Sequence, residues 1–551
     1  MAKIALVRPP TIMPAGSITT QQGVPSIGIA YLTGVLKEAG HTVSVVDAFG
    51  EAIDQFTRIN DSNLLINGLT AAQIVERIPA AVDIIAVSCM YSNEWLYSKV
   101  VIRRIQECFQ NVPLIGGGEH FTADPEYSLM ECPGMHSLVL GEGEETIVEL
   151  VDAIETGKDI STVAGIAFLK DDKVVKTATR ARIREVDEIT EPSWDEMPLE
   201  AYLDAGLGMS SVRGRNMPMI ASRGCPYKCT FCSNPLMWTQ RWIARDPQKV
   251  LDELKGYIKR YKVNHIEFYD LTAIVKREWI LEFASLLIRE NLGITWALPS
   301  GTRSEAIDDE VVKAMKDSGC HSLTYAPEAG SPATLKRIKK MVNLKQMLMS
   351  MRSSVRCGLL IKANLIVGFP GQTKREVLES FVFMVKMAWV GVHDVAVFPF
   401  VPYPGSELFF QLVNEGLIRK DSAAYEAFLS GNVYNEVSGM LSWSENISHR
   451  LIKYLTVGGM GWFYFWQFLF RPHRFVASLW RLFKSKPVTM FDMALDGILR
   501  NFVTRKRKVK VEAKEEVPAK LSFKDVAKEL GVSPSASSMA MNRAPSTSSS
   551  P

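Results

Sequence analysis

The sequence lacks the features that mark secreted proteins and nucleic-acid-binding proteins. Its amino terminus, MAKIALVRPP, has a four-residue apolar stretch before an arginine and two prolines, which is too short for a signal-peptide core. The formal net charge of +3 is too small to indicate a nucleic-acid partner. We therefore expect a cytoplasmic protein that has no nucleic-acid partner.

Cysteine is scarce, with eight in 551 residues, and disulfides are not expected in a large chain without a secretion signal. Five of the cysteines are scattered and fit small buried hydrophobic side chains. The other three, Cys225, Cys229 and Cys232, lie within eight residues and need a separate explanation. Hydrophobic residues make up 47% of the chain, which allows a large core, and its length predicts two or three domains.

An uncharged run of full membrane-spanning length is also missing. The run Leu455–Phe470 has sixteen residues without a charge, whereas a transmembrane helix needs about 20 apolar residues. Such a run fits a buried helix of a carboxyl-terminal domain. Its tryptophans and tyrosine beside arginines are also typical of a membrane interface. In that second interpretation, acidic head groups would contact the basic side chains that follow it: Arg471, Arg474, Arg481, Lys484 and Lys486.

Short apolar runs alternate with helical stretches through residues 1–150. Strands are predicted at Lys3–Val7, Thr42–Val46, Asp83–Ser88, Val112–Ile115 and Leu138–Leu140. This alternation indicates an α/β fold with a parallel sheet that is covered on both faces. Glycine-rich loops follow the last two strands, at the carboxyl ends where parallel sheets bind their ligands.

The same alternation returns over residues 215–430. Strands are predicted at Met219–Ser222, His265–Tyr269, Thr295–Leu298, Ser322–Tyr325, Lys362–Val367 and Asp394–Phe398. About six strand–helix units with short links predict a partial α/β barrel or an open sheet. The remaining regions are predicted as a connector with a small hairpin (151–214), a helical carboxyl-terminal domain (431–503) and a disordered tail that is charged and then rich in serine and proline (504–551).

The three clustered cysteines form the pattern C-x-x-x-C-x-x-C directly after the first strand of the second region. Three thiolates on one loop can hold one face of a cubane iron–sulfur cluster and leave one iron open to a further ligand. Zinc sites usually close a tetrahedron with a fourth cysteine or histidine, and no such residue lies nearby in the sequence. A structural or sensory zinc or iron–sulfur protein is the non-enzymatic alternative.

The cysteine spacing, Phe231 before the third cysteine and the position after a strand resemble the radical S-adenosylmethionine (SAM) superfamily over about residues 215–430. The resemblance implies a partial (β/α)6 barrel with a [4Fe-4S] cluster on the three cysteines. It also implies that SAM binds the open iron. A one-electron donor such as flavodoxin or ferredoxin then reduces the cluster, and a 5′-deoxyadenosyl radical forms. The SAM contacts that it implies are Phe231, Asp270, Ser300, Arg303, Glu328 and Gly368.

Two of these residues receive specific roles from the resemblance. Arg303 would pair with the SAM carboxylate, because a guanidinium forms strong bidentate hydrogen bonds with such a group. Glu328 lies in Tyr325–Ser331, which is similar to the Glu-x-Gly-Ser segment of the family, and it would accept hydrogen bonds from the ribose hydroxyls. Asp270 would lie near the methionine amino group, and Gly368 would lie along the adenosine.

Four segments of the first region, 25–32, 40–47, 116–120 and 141–146, resemble the cobalamin-binding domain of the cobalamin-dependent radical SAM class. This implies a Rossmann-like cobalamin-binding domain over residues 1–150. The run Asp-x-His-x-x-Gly, whose histidine is the lower cobalt ligand in many cobalamin domains, is absent. The lower face of cobalamin is therefore expected to be open or approached by a non-histidine side chain. The implied contacts are Ser88, Gly117, Gly118, Glu119, His120, Gly141, Glu142 and Gly143.

A Rossmann-like domain that only holds a substrate or a partner is the rival interpretation of this region. If cobalamin binds, the expected reaction is methylation of an unactivated carbon, because methyl transfer is the commoner reaction of the class. The class also contains oxidative cyclases and rearrangement enzymes, which the motifs do not separate from methyltransferases. An interfacial Leu455–Phe470 would favour a lipid, isoprenoid or tetrapyrrole substrate and a location at the inner face of the membrane.

Overall fold

The structure is a computed structural model of the chain. It describes residues 1–14, 23–59, 64–210, 212, 214–420, 425, 428–429, 441–484, 488–489, 491–493, 495 and 511–515. The tail that we predict to be disordered, 504–551, lies outside the described residues except for the strand at 511–515.

Strands and helices alternate through the first 210 residues. Short 3₁₀ helices lie at Gly50–Ala52, Ser92–Glu94 and Ile160–Thr162. The other elements are β1 (Lys3–Arg8), β2 (Thr11–Pro14), α1 (Ile27–Glu38), β3 (Thr42–Asp47), β4 (Phe56–Ile59), β5 (Leu64–Asn67), α2 (Ala71–Arg77), β6 (Ile84–Ser88), α3 (Trp95–Cys108), β7 (Leu114–Gly117), α4 (Glu119–Ala123), α5 (Pro125–Glu131), β8 (Ser137–Val139), α6 (Glu144–Thr156), β9 (Ile166–Lys170), β10 (Lys173–Lys176) and α7 (Leu199–Asp204).

The first sheet has seven strands in the order β10-β9-β8-β7-β6-β1-β3. The neighbouring strands β3, β1, β6, β7 and β8 pair in parallel, as the alternation predicts. The hairpin β9–β10 adds antiparallel to the edge at β8. The hairpin was predicted within a connector, but it extends this sheet and covers its edge. We did not predict β2, β4 and β5. They form a separate small sheet in which β2 and β4 each pair with β5, and a strand at Val511–Glu515, within the tail predicted to be disordered, pairs with β4.

Beyond residue 214 the elements are again alternating strands and helices, followed by helices near the carboxyl terminus. They are β11 (Asn216–Met219), β12 (Ser222–Arg223), α8 (Asn234–Trp238), β13 (Ile243–Ala244), α9 (Pro247–Tyr261), β14 (His265–Phe268), α10 (Arg277–Glu290), β15 (Thr295–Thr302), α11 (Asp309–Asp317), β16 (Cys320–Glu328), α12 (Pro332–Arg337), α13 (Leu344–Arg356), β17 (Leu360–Val367), α14 (Lys374–Val390), β18 (Asp394–Pro399), α15 (Glu407–Asn414), α16 (His449–Phe470), α17 (Pro472–Phe483) and β19 (Val511–Glu515).

The second large sheet is parallel and follows chain order, β11-β14-β15-β16-β17-β18. This arrangement confirms the predicted partial (β/α)6 barrel. Helix ends are fixed by local signals, as at α14, where Thr373 and Glu376 form a reciprocal capping box. Because all six strands run the same way, their carboxyl ends lie at one edge and bring distant loops together.

Helix α16 contains the uncharged run Leu455–Phe470 and packs against β18 and α14. Gln467 donates to the carbonyl of Val392 at 3.0 Å, and the Tyr464 hydroxyl donates to Asp394 at 2.8 Å. Phe463 is fully buried, whereas Phe465 on the opposite face is 59% exposed. One face of this helix therefore belongs to the core, and the other does not. No described helix combines the length and the apolarity that crossing a membrane requires.

Candidate functional site

The three clustered cysteines lie on the loop between β12 and α8, at the carboxyl edge of the barrel. Asp270, which follows β14, fixes the start of this loop because it accepts the Ala221 N–H at 3.1 Å and the Ser222 hydroxyl at 2.5 Å. At Gly224 the backbone has φ = +84°, and a Cβ would lie 2.2 Å from the carbonyl oxygen of Arg241. Only glycine fits there, so the chain turns sharply into the cysteine loop.

The far side of the loop is held by elements from the end of the barrel. The Thr230 N–H donates to the Ile338 carbonyl at 3.0 Å, and the Leu408 N–H donates to the Thr230 carbonyl at 2.9 Å. Within the loop, the Cys232 N–H donates to the Cys229 carbonyl at 3.1 Å. These backbone bonds fix the positions of the cysteines before any metal binds.

The sulfur atoms fit a cluster better than a zinc ion. A tetrahedral zinc with Zn–S bonds of about 2.3 Å would require sulfurs about 3.8 Å apart. Cys225, Cys229 and Cys232 do not form a group whose ligand atoms all lie within 4.8 Å of one another; in the described residues, only His41, Asp152 and Glu155 do. The wider spacing of the cysteine sulfurs suits ligands on different irons of a cubane.

Burial raises the pKa of the Cys232 thiol to about 12, and burial also raises the pKa of Cys229. A raised thiol pKa opposes formation of the thiolate that binds metal, so a bound cluster would have to displace these protons. The Thr272 hydroxyl donates to the sulfur of Cys225 at 3.3 Å and would help to hold that sulfur.

Buried polar atoms without hydrogen-bond partners gather at the carboxyl edge of the barrel. Arg303 is 7% exposed, and its guanidinium lies 3.6 Å from the ring centre of Tyr227 in the cysteine loop. It donates to Glu305 and to the Met341 carbonyl, but its Nε has no partner in the part of the chain that the structure describes. Further unpartnered atoms belong to Thr302, Ser304, Ser331 and Asn364. Such atoms are costly unless a polar ligand satisfies them, which fits SAM.

Glu328 ends β16 with φ = +62°, a left-handed conformation that is unusual for a residue other than glycine. Its carboxylate accepts a hydrogen bond from Lys340 at 3.1 Å. Burial lowers the pKa of Lys340, but Glu328 and Cys229 together raise it by more, so the pKa lies above its ordinary value. The structure thus places a buried ion pair beside the cysteines, and no pattern in the sequence predicts Lys340.

The remaining predicted SAM residues lie at the same edge. Phe231 contacts Phe369, which follows Gly368, with ring centres 5.6 Å apart. Ser300 lies near the end of β15 and is partly buried. Asp270 is 2% exposed and its carboxylate is bonded to the start of the cysteine loop. Direct contacts of these side chains with SAM stay predictions.

The predicted cobalamin residues lie at the carboxyl edge of the first sheet. Ser88 ends β6, Gly117 ends β7, and the loop Gly141–Gly143 follows β8. Gly118 has φ = +113°, and a Cβ there would lie 2.6 Å from the Cys89 carbonyl oxygen. Gly118 is therefore required by packing against the Cys89 backbone, whereas a Cβ on Gly117 would meet no atom closer than 4.0 Å, so the backbone of Gly117 is open to a ligand.

His120 is fully buried behind this edge. Its Nδ1 lies 3.0 Å from the Ser92 hydroxyl, and its ring packs against Trp95 at 4.6 Å between ring centres. Burial lowers the pKa of His120 to about 3, so the ring is neutral at pH 7. Its Nε2 has no hydrogen-bond partner among the described residues, so the structure leaves one ring nitrogen available.

The two acidic residues predicted to contact cobalamin face the cysteine loop. Glu119 accepts a hydrogen bond from Ser233, directly after Cys232. Glu142 pairs with Arg182 at 2.7 Å and with Arg223 at 3.3 Å, and all three side chains are less than 10% exposed. These contacts join the carboxyl edges of the two large sheets, so the predicted cobalamin loops and the cysteine loop lie against each other.

The structure also adds candidate residues that the sequence reasoning missed. Both side-chain amide atoms of Asn234, two residues after Cys232, are buried without partners in the described part of the chain. Tyr227 lies under Arg303, and Lys340 pairs with Glu328. Tyr227 and Asn234 could have been found from their proximity to the cysteines, whereas Lys340 depends on long-range folding.

Comparison with known proteins agrees with this geometry. The model of the radical SAM superfamily matches residues 219–384, and the model of the B12 binding domain matches residues 15–151. The two matches together cover both carboxyl edges described above.

Relatives that match about three quarters of the chain also indicate a radical SAM enzyme with a B12-binding domain. An uncharacterized methyltransferase of Pyrococcus horikoshii is 31% identical over 418 residues, which is 76% of this chain and 84% of that protein. The anaerobic magnesium-protoporphyrin IX monomethyl ester cyclase of Rubrivivax gelatinosus is 28% identical over 395 residues, 70% of this chain and 66% of that protein. The fold is similar to that of TsrM, a radical SAM methyltransferase of Kitasatospora setae whose structure holds cobalamin and a [4Fe-4S] cluster. The TM-score is 0.58 at 15% identity, and the match covers 75% of this chain and 78% of TsrM.

Proposed function

This chain belongs to the radical SAM enzymes that carry a B12-binding domain, and we propose that it methylates an unactivated carbon of a hydrophobic small molecule. Membership confirms the predicted enzyme class and its cofactors, which are a [4Fe-4S] cluster, SAM and cobalamin. An enzyme of this class acts on a small molecule and draws electrons from a reductant. The non-enzymatic alternative is therefore removed.

The observation that carries the proposal is the contact between the two carboxyl edges. Glu119 and Glu142 of the first sheet meet Ser233 and Arg223 beside the cysteine loop. Bound at these edges, the cluster with SAM supplies hydrogen abstraction from carbon, and cobalamin supplies the methyl group. A substrate held between the edges would meet both groups without leaving the site.

The residues of the chain have distinct tasks in this proposal. The three cysteines hold three irons, and the backbone bonds of the loop keep them in place. Arg303 binds the SAM carboxylate through its unpartnered Nε, and Glu328, oriented by Lys340, accepts from the ribose hydroxyls. The open backbone at Gly117 would admit the corrin ring. We assign residues 1–150 to cobalamin and residues 215–430 to the cluster and SAM.

A hydrophobic substrate is supported by two observations. The name of the Rubrivivax relative describes a protein that acts on a tetrapyrrole, which is a large apolar ring. The outer faces of α14 and α16 also expose apolar side chains, such as Trp389 and Phe465, beside the barrel. We therefore propose a lipid, an isoprenoid or a tetrapyrrole as the substrate class.

The test uses the full-length enzyme, reconstituted without oxygen with iron, sulfide and cobalamin, and SAM that carries a deuterated methyl group. Lipid and pigment extracts serve as substrates, and mass spectrometry follows the products. We expect 5′-deoxyadenosine, S-adenosylhomocysteine and an extract component that gains the deuterated methyl group. Reactions without reductant serve as the control and should give none of the three.

Cyclisation or oxidation is the second candidate, because a relative with 28% identity is a cyclase. It predicts 5′-deoxyadenosine without S-adenosylhomocysteine and a product that lacks the label. That result would overturn methyl transfer and leave the enzyme class intact.

A further inference from the structure

Three helices at the outside of the barrel expose a surface that has no counterpart elsewhere in the described chain. Helices α14, α16 and α17 expose Val382, Trp389, Trp462, Phe465, Leu469 and Trp480, which we call the apolar face. Trp389 is 66% exposed, Trp480 61%, and both Phe465 and Leu469 59%. Folded proteins rarely expose so many large apolar side chains together unless the surface binds something.

Contacts between the helices make the apolar face continuous. The Trp462 indole donates to the Phe381 carbonyl of α14 at 3.3 Å, and the rings of Trp389 and Phe470 lie 5.0 Å apart. Phe468 and Phe475 join α16 to α17 at 5.3 Å between ring centres. Because the opposite face of α16 is buried through Phe463 and Gln467, the helix cannot turn its outer side inward.

The charged side chains of α16 and α17 are all basic, although Arg481 is paired with Asp492 and α14 also carries Glu379. Residues 449–484 contain no aspartate or glutamate, whereas they contain six lysines and arginines: Arg450, Lys453, Arg471, Arg474, Arg481 and Lys484. The ammonium of Lys484 lies 4.6 Å from the ring centre of Trp480, and Lys386 is exposed on α14. A second copy of this chain would bring like charges together, whereas an anionic surface would complement them.

Tryptophans and tyrosines with basic residues at the rim are the composition of a helix that lies in a bilayer interface. The amino end of α16 lies beside the barrel mouth, since a Cβ on Gly368 would lie 2.7 Å from Ile452 of α16. Gly368 directly follows β17 at the edge that carries the candidate SAM site. The other end of α16 contacts the start of β18 through Tyr464 and Gln467, so the apolar face itself lies toward the opposite end of the barrel from this edge.

We propose that the apolar face docks the enzyme on anionic phospholipid bilayers, at the inner face of the membrane. The tryptophans and phenylalanine enter the interface, and the basic side chains contact the head groups. This deepens the proposed function, because it makes the bilayer the source of the hydrophobic substrate. Docking itself does not depend on which reaction the enzyme performs.

The experiment measures co-sedimentation of the full-length enzyme with vesicles of phosphatidylcholine, with or without phosphatidylglycerol. We expect binding to the anionic vesicles that weakens as salt is raised. The double variant Phe465→Ser/Leu469→Ser should reduce the partition coefficient between vesicles and water at least about tenfold. It removes apolar carbons that would be buried in the bilayer. Lys386→Glu/Lys484→Glu should weaken binding to anionic vesicles and leave binding to phosphatidylcholine unchanged.

The matched control is Phe410→Ser/Ile288→Ser, which removes exposed apolar side chains of α15 and α10, outside the apolar face. It should bind the vesicles like the unchanged enzyme. Thermal unfolding of all variants checks that these surface substitutions leave the fold intact.

Three results would overturn the proposal. The first is no binding to anionic vesicles at low salt, or binding that Phe465→Ser/Leu469→Ser leaves unchanged. The second is a dimer that this variant abolishes, which would assign the face to another copy. The third is a cross-link from Lys386 to residues 505–508 that vesicles do not disturb, which would assign the face to the carboxyl-terminal segment. Labelled methylation of a dispersed substrate would then still support the proposed function.

Discussion

The carboxyl edges of the two large sheets differ in how their side chains are used. At the barrel edge, buried atoms such as the Nε of Arg303 and the amide oxygen of Asn364 have no partner in the described chain. At the edge of the first sheet, the predicted contact residues Glu119 and Glu142 already pair with residues beside the cysteine loop. The barrel edge keeps unpaired polar atoms that suit a small polar ligand. At the edge of the first sheet, the charged side chains form contacts that join the two regions.

This difference indicates two kinds of recognition. SAM is small and charged, so it is suited to buried side chains whose polar atoms have no hydrogen-bond partner in the described chain. A corrin is large and flat, so it is suited to open glycine backbone such as that at Gly117, with little need for charged side chains. Substitutions at the two edges should therefore have separate consequences.

The largest expected effect separates the two edges completely. Cys229→Ala should abolish the cluster, so iron falls from about four per chain to near zero, because a cubane with two protein ligands is not held. Cobalamin binding should persist, since the edge of the first sheet is untouched. Iron analysis and the visible spectrum of bound cobalamin measure both. Cys357→Ala, outside the loop, should keep both cofactors, and loss of cobalamin in Cys229→Ala would contradict the separation.

Glu142→Gln should weaken the junction between the sheets. It leaves the buried guanidiniums of Arg182 and Arg223 with less compensation, so the free energy of unfolding should fall by about 3 kcal/mol. The Kd for SAM should stay unchanged within the folded protein. Calorimetry of the apoprotein provides the first measurement, and Glu379→Gln on the surface of α14 is the control. An unchanged thermal midpoint would show that these ion pairs do not stabilise the junction.

Arg303→Met should act mainly on SAM binding. Loss of a charge-assisted hydrogen bond should cost about 2 kcal/mol of binding free energy, which raises the Kd for SAM about 30-fold. The cluster should not change, but the apoprotein should lose some stability because Arg303 also donates to Glu305 and to the Met341 carbonyl. Equilibrium dialysis with SAM measures the Kd, and Arg375→Met is the exposed control. If Arg303→Met binds SAM normally, the assignment of Arg303 fails.

The smallest expected effect concerns His120. Because burial lowers its pKa to about 3, whereas an exposed histidine titrates near 6.5, protonation favours the unfolded state as the pH falls. The contribution of neutral His120 to the free energy of unfolding is fully present above pH 6.5 and is lost progressively as the pH falls below that value. His120→Gln should therefore remove about 1.6 kcal/mol of the stability decrease between pH 6.5 and pH 5. Thermal midpoints across this range test it, and parallel curves for the two proteins would contradict it.

Local patterns were sufficient to predict most of the fold. The strands of both parallel sheets begin and end within about four residues of the predicted bounds, because strands buried on both faces appear as continuous apolar runs. The β9–β10 hairpin was found, but its sheet was not, since pairing with β8 joins residues far apart in sequence. The strands β2, β4 and β5 were not predicted, because they lie in a small sheet outside the regular alternation of strands and helices.

The sequence by itself predicted the cluster ligands and determined the α/β class. Cysteine spacing is local, and so is the alternation of strands and helices. Only the tertiary structure decided that Lys340 orients Glu328, that Glu142 joins the two sheets, and that α16 is half core and half exposed. Each of these contacts depends on which distant segments pack together, and a short stretch of sequence does not specify such packing.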